Sequence, residues 1–122
     1  DLIVRSAVIA KSKPSGEGWD AFNSPPDPIV KVAVCNESGI PLGHVRTEAV
    51  QDSYRPSFSG SSLLRVREGD QLIIQVWDED VLADDPIGEV KVTVTKRMLA
   101  DGSYRWSFDS VEDLRIDFRP AN

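Results

Sequence analysis

Apolar residues recur at every second position in run after run along this chain, and that spacing is the strongest constraint on its fold. Val30, Val32 and Val34 alternate with Lys31 and Ala33, and Leu72, Ile74 and Val76 alternate with Ile73 and Gln75. Val90, Val92 and Val94 alternate with Lys91 and Thr93, and Leu114, Ile116 and Phe118 with Arg115 and Asp117. A period of two places one apolar face on a core and one polar face in water, the pattern of a half-buried strand. Weaker runs cover Leu2–Ala10, His44–Val50, Phe58–Val66 and Tyr104–Phe108. Turn-forming segments separate them: SGEG, SPPDP, SGIPLG, RPS, EGD, DDPIG and ADG. About eight short strands and only one helical turn, at Lys96–Ala100, indicate an all-β antiparallel sandwich or barrel.

The chain has 122 residues, of which 40% are hydrophobic, which suits one domain with one core over residues 1–122. No apolar run approaches the roughly 18 residues of a membrane span. The chain begins at Asp1 rather than Met, so it is expected to be a piece cut from a longer protein.

Single copies exclude much chemistry. The lone Cys35 forms no internal disulfide and no multi-thiolate zinc site, and the lone His44 excludes two-histidine metal motifs. Cys35 within VKVAVCN reads as a small strand residue rather than a nucleophile. No Gly-rich phosphate loop and no GxSxG elbow is present, so the chain does not read as an enzyme.

A net charge of −6 argues against nucleic acid, and the distribution of that charge is more informative. Residues 14–30 and 68–90 contain no Lys or Arg and hold 11 of the 20 acids, whereas the remaining residues carry 14 basic and 9 acidic side chains. Asp78 and Asp80, two apart as the chain leaves a strand, project the same way, and Asp85 returns from the far side of that loop. In the earlier segment GWDAFNSPPDP, Asp20 and Asp27 can face one another across a bend. Clustered carboxylates repel, by roughly 4 kcal/mol for two charges about 4 Å apart at an effective dielectric near 20. A hard divalent cation offsets that repulsion, and Ca²⁺ accepts six to eight oxygens in loose geometry. The EF-hand spacing is absent. The plainer reading keeps Asp27 as an Asx-turn residue before Pro28 and the acidic loops as solvated surface.

These motifs resemble the C2 domain family. DPIVKV is similar to that family's DPYVKV, GDQLIIQVWDED…DDPIG to its GDxLxxxVWDxD…DDxIG run, and RPSF to its NPxW/F turn. The similarity runs from about Leu2 to Val94. The resemblance implies an eight-stranded antiparallel Greek-key β-sandwich that binds Ca²⁺ and acidic phospholipid through loops at one end. A first strand feeding straight into an acidic loop, with DLRIDFRP closing the chain, resembles the family's circularly permuted topology. Carried over position by position, Asp20, Asp27, Asp78, Asp80 and Asp85 fall on its metal ligands. Backbone carbonyls at Trp19 and Glu79 would complete the shell, and Asp84 takes a less regular position.

The chain departs from the pattern in a long first loop with Pro25 and Pro26, in Ile29 for the usual Tyr, and in a thin basic patch of Lys31, His44 and Arg46. Apolar residues lie between the acids, and Phe22, Val81 and Leu82 are the candidates for entering a membrane. The other reading has Trp19 and Phe22 packing under their own loop; Trp77 and Trp106 read as sandwich core or rim. The expected partners are therefore an acidic phospholipid surface, bound peripherally and with calcium, and the rest of a multidomain parent chain. The expected compartment is cytoplasmic rather than secreted. The alternative is a C2-like protein-interaction or structural module in which calcium only steadies the loops or is not bound.

Overall fold

The computed structural model describes residues 1–19, 24–59, 64–79 and 85–120. Two antiparallel sheets form its frame. β2 (Pro28–Cys35) is flanked by β3 (Pro41–Arg46) and β4 (Gln71–Asp78), and β4 by β5 (Asp85–Thr93), in the order β3-β2-β4-β5. The second sheet has the order β1-β7-β6, from β1 (Leu2–Ile9), β7 (Val111–Phe118) and β6 (Ser103–Phe108). The closing strand thus lies beside the first. One short helix, α1 (Lys96–Asp101), precedes β6; Thr95 caps its start, accepting from the Met98 N–H at 3.2 Å. Gly102 ends the helix at φ 75°, a conformation that suits a residue without Cβ.

The period-two faces meet between the sheets. Leu72, Ile74, Val76, Val30, Val32, Val34, Leu114 and Ile116 are all almost fully buried in one cluster. Cys35 is half-buried at the end of β2. Trp77 and Trp106 are half-buried too: Trp106 packs against the core cluster, whereas Trp77, expected in the core or rim, is in the outward phase of β4 with the Lys31 ammonium 5.2 Å from its ring centroid.

Seven strands are present among the described residues rather than eight. Among the described residues, the expected Phe58–Val66 strand is represented by one isolated bridge, Leu2↔Leu64, with a second, Ser6↔Ser57, just before the run, both against β1. Residues 60–63 lie outside the described residues. The expected His44–Val50 strand is shifted: β3 ends at Arg46, and the chain then runs along the start of β2, where the Thr47 N–H donates to the Val30 carbonyl at 2.9 Å.

Bulges explain why β1 looked weak in the sequence. Leu2 and Val4 face inward, then a register shift between Val4 and Ser6 moves the inward set to Ala7 and Ile9. A one-residue slip flips every later side chain, so the alternation is lost although the strand is continuous. A shift opposite Val76 and Trp77 likewise buries Ile87 out of phase with Val90 and Val92. Asp117, in the polar phase of β7, is also buried. It accepts from Arg5 Nε at 2.9 Å and Arg115 Nε at 3.1 Å across the outer face of the sheet.

Candidate functional site

The end of the sandwich where β2 and β5 begin and β4 finishes gathers the acids that the sequence singled out. Asp78 pairs in register with both Pro28 and Asp85, so Asp27, Asp78 and Asp85 come from three adjacent strand ends. The alternation that sends Leu72, Ile74 and Val76 into the core sends Asp78 the same way, and it is 1% exposed at the mouth of the sandwich. A carboxylate buried this far needs hydrogen bonds to compensate its lost hydration. Its Oδ1 accepts from the Asp27 N–H at 2.8 Å.

Asp27 is the node of the site. Its Oδ1 accepts from the Asp52 N–H at 2.7 Å, and its carbonyl accepts from the Glu79 N–H at 3.0 Å. The Ser53 N–H donates to the Pro26 carbonyl at 2.8 Å, so three connections (10–27, 47–53 and the segment from Glu79) are stitched together around this residue. The Asx turn expected of Asp27 is not what its side chain forms: the N–H that it receives comes from Asp52 in another loop, so its carboxylate ties two connections together.

Two basic residues reach into this end from outside the stretches without Lys or Arg. Lys13 Nζ lies 3.2 Å from Asp85 Oδ2, and Arg46 Nη2 lies 3.7 Å from Glu79 Oε2. The stretches that contain no Lys or Arg in sequence thus have basic neighbours in space. Lys13 immediately precedes one basic-free stretch, and a tight turn, with the Gly16 N–H donating to the Lys13 carbonyl at 2.8 Å, holds it there. Its ammonium sits 5.9 Å from the Trp19 ring centroid. Trp19 is buried and donates from Nε1 to the Ala10 carbonyl at 2.7 Å, so it packs beneath its own loop.

Asp20, Phe22, Asp80, Val81, Leu82 and Asp84 lie outside the described residues. Among the described residues, no group of three or more His, Cys, Asp or Glu is arranged to hold a metal ion. Two of the five expected ligands, Asp20 and Asp80, are outside those residues; one oxygen each of Asp27 and Asp78 accepts a backbone N–H, and Asp85 is turned to Lys13.

Sequence reasoning missed Asp52 and Lys13. Asp52 occupies the left-handed region at φ 49°, where Asp is among the tolerated residues. It lies in neither acidic segment, so only the fold brings it to Asp27. The basic patch that looked thin in the sequence is closer in space. Lys31 pairs with Arg46 and Ala33 with His44, and Lys31, His44 and Arg46 line one hollow of about 360 Å³ on the outer face of the sheet. A larger groove of about 830 Å³ adjoins Asp85, walled by Trp19, Trp77, Pro86 and Ile87.

The C2 domain family model matches residues 4–108, nearly the whole sandwich. This chain is a C2 domain. Solved C2 structures superpose on it. A C2 domain of plant extended synaptotagmin 1 does so with a TM-score of 0.62 and 14% identity, over 99% of this chain and 93% of that one. A C2 domain of RIM from Drosophila gives 0.56 and 20% identity, over 95% and 85% of the two chains. Human GIVD cytosolic phospholipase A2, in complex with a fluorophosphonate inhibitor and terbium chloride, gives 0.65 and 18% identity over 95% of this chain. This C2 domain spans 16% of that phospholipase chain. At such identities the likeness is one of fold. No curated protein sequence matches the chain. The C2 family includes calcium-binding and lipid-binding modules, and no described helix here is long and apolar enough to cross a membrane.

Proposed function

We propose that this C2 domain binds calcium at the Asp27–Asp78–Asp85 end and thereby docks peripherally on acidic phospholipid membranes. The observation that supports this reading is the convergence of three strand ends and the Asp52 loop on Asp27. The donor chemistry fits, because carboxylate and carbonyl oxygens are the hard ligands that Ca²⁺ takes. Asp27, Asp78 and Asp85, with Asp20 and Asp80 from the loops, would hold the ion, and the carbonyls of Trp19 and Glu79 would add backbone oxygens. Bound calcium supplies positive charge that cancels the repulsion between these acids and an anionic surface. Phe22, Val81 and Leu82 would then enter the headgroup region. The hollow lined by Lys31, His44 and Arg46 offers cationic contacts to lipid phosphate beside that end.

The test is co-sedimentation of the domain with phosphatidylserine–phosphatidylcholine vesicles, in calcium and in EGTA, alongside calcium titration calorimetry. Calcium-dependent co-sedimentation is the expected result. A second reading, a protein-interaction or structural module, is favoured by the internal contacts of the acids: Asp27 and Asp78 hold backbone N–H groups, and Lys13 already supplies Asp85 with a cation. Calcium binding with no vesicle binding supports that second reading, and binding of neither refutes the calcium-dependent membrane role.

A further inference from the structure

Among the described residues the two sheets present β1, β6, β3 and β5 as edge strands, and all but β6 are covered or blunted. β1 is bridged at Leu64 and Ser57. The start of β5 is covered by the β6–β7 turn: the Glu89 N–H donates to Asp109 Oδ2 at 2.9 Å, and the Ser110 N–H to the Ile87 carbonyl at 3.3 Å. β3 opens with Pro41, which has no N–H, contains Gly43 and presents His44 and Arg46. β6 has neither Pro nor Gly. The register shift between Trp106 and Phe108 sets two β7 residues, Glu112 and Asp113, opposite the single Ser107, so the bulge belongs to β7 and β6 stays regular.

One hydrogen bond fixes which backbone groups of β6 point outward. The Phe118 N–H donates to the Gly102 carbonyl at 2.8 Å, and bonded pairs alternate along an antiparallel ladder. Gly102, Tyr104 and Trp106 therefore turn their backbone groups toward β7, and Ser103, Arg105 and Ser107 turn theirs away. Among the described residues no backbone group bonds to β6 on that outer side. The side chains divide by phase. Tyr104 and Trp106 lie opposite the buried Ile116 and Leu114, and Trp106 and Phe108 pack against the core cluster. Tyr104 is 41% exposed, its ring 4.9 Å from that of Trp106. The other phase carries Ser107 and Arg105, both exposed, with Arg105 Nη1 2.6 Å from Asp113 Oδ2.

We propose that β6 pairs antiparallel with β6 of a second copy of this chain, about a two-fold axis at Trp106. In that register Arg105 and the partner's Ser107 exchange both backbone hydrogen bonds, so the outward groups of each copy are satisfied by the other. Trp106 meets the partner's Trp106, and Tyr104 meets the partner's Phe108. These are the non-bonded positions, where facing side chains lie closest and aromatic pairs stabilise most. Centring the axis on Arg105 instead would set like charges directly opposite. Charge also fits: each Arg105 arrives over the partner's Ser107, a small residue flanked on β7 by the partner's Glu112 and Asp113. The result joins two three-stranded sheets into one. Because the pairing is antiparallel, the Asp27 ends of the two copies point in opposite directions. It needs no calcium and is independent of the membrane reading.

The experiment is sedimentation of the domain in EGTA, from micromolar to millimolar concentration, with thermal unfolding as the check on folding. A reversible monomer–dimer equilibrium that stops at the dimer is expected. Arg105→Glu reverses the charge that faces the partner's Asp113 and should weaken the dimer roughly three- to thirty-fold. Ser107→Pro removes an outward N–H without touching the β7 ladder and should weaken it about ten-fold or more. Should Ser107→Pro fail to fold, Arg105→Glu carries the test, since that side chain is exposed. Leu42→Ser, at an exposed apolar residue on the edge of β3, should leave the equilibrium unchanged. A monomer at millimolar concentration would overturn the proposal, as would a dimer that needs calcium or association that grows past the dimer. A dimer indifferent to both β6 variants, or weakened equally by Leu42→Ser, would refute it too, because the contact would then lie on another surface.

Discussion

Replacing Lys13 by Met removes the cation that the fold places against Asp85 in the candidate calcium site. Met retains much of the unbranched stem near Trp19 and loses only the ammonium, 3.2 Å from Asp85 Oδ2. Coulomb's law at an effective dielectric near 20 gives roughly 5 kcal/mol for unit charges at that separation. The two side chains are 28% and 41% exposed, so solvent and side-chain entropy reduce the pair to about 0.5–1 kcal/mol. In EGTA the variant should therefore lose about that much stability, a fall in Tm of roughly 1–4 °C for a domain of this size. The metal-free acids would then repel one another with one counter-charge fewer. In calcium the same change removes a competitor for Asp85, so affinity should rise roughly two- to five-fold, measured by titration calorimetry. The wild-type and variant melting curves should converge as calcium is added. A variant that binds calcium more weakly than wild type would refute the reasoning, because Lys13 would then be supporting the site rather than competing for it. Unchanged stability in EGTA, together with unchanged affinity, would show that the ion pair carries no weight.

Four further substitutions probe this site and other parts of the molecule. Asp78→Asn keeps an oxygen to accept the Asp27 N–H, so the fold should persist while calorimetry shows calcium affinity reduced about ten-fold or more, about 1.4 kcal/mol; Asp84→Asn should do less. Asp117 is pushed up by burial, but hydrogen bonds from Arg5, Arg115 and Ser103 and the Arg115 charge outweigh this and hold its carboxyl below the usual range. Its folded pKa lies below its unfolded one, so its stabilisation is complete above about pH 4 and is lost as pH falls through the folded value. Asp117→Asn should accordingly cost about 1.5–3 kcal/mol at neutral pH by urea denaturation, and the difference from wild type should shrink in acid. Gly88→Ala would bring a Cβ to 3.1 Å from the Phe108 ring and 3.2 Å from Asp109 Cβ. Overpacking where β5 meets the β6–β7 turn should lower stability by about 1–3 kcal/mol, readable in thermal unfolding.

Legibility in the sequence followed the regularity of each strand. β2, β4 and β7 announced themselves because each carries three apolar residues in strict alternation that are buried (Val30, Val32 and Val34; Leu72, Ile74 and Val76; Leu114, Ile116 and Phe118), and α1 because its short run stands apart from the strands. β1 and the start of β5 were faint because bulges at Val4–Ser6 and around Ile87 change the inward phase partway along. The Phe58–Val66 run looked like a strand but, among the described residues, gives one bridge to β1 at Leu64, with another at Ser57 just before it, since strand assignment needs a continuous partner that propensity does not supply. Asp117 sat in a polar phase and was nonetheless buried, because two arginines from that sheet close over it.

Local pattern alone fixed the all-β class, the single core and the two acid-rich segments, since each depends only on residue spacing and local composition. Tertiary structure decided which loops are neighbours. It brought Asp52 to Asp27 and Lys13 to Asp85, and set Lys31, His44 and Arg46 around one hollow. The contact of Asp52 with Asp27 joins residues 25 positions apart, and that of Lys13 with Asp85 spans 72. No periodicity encodes contacts at such separations; they arise only when two twisted sheets pack and fix where every strand ends.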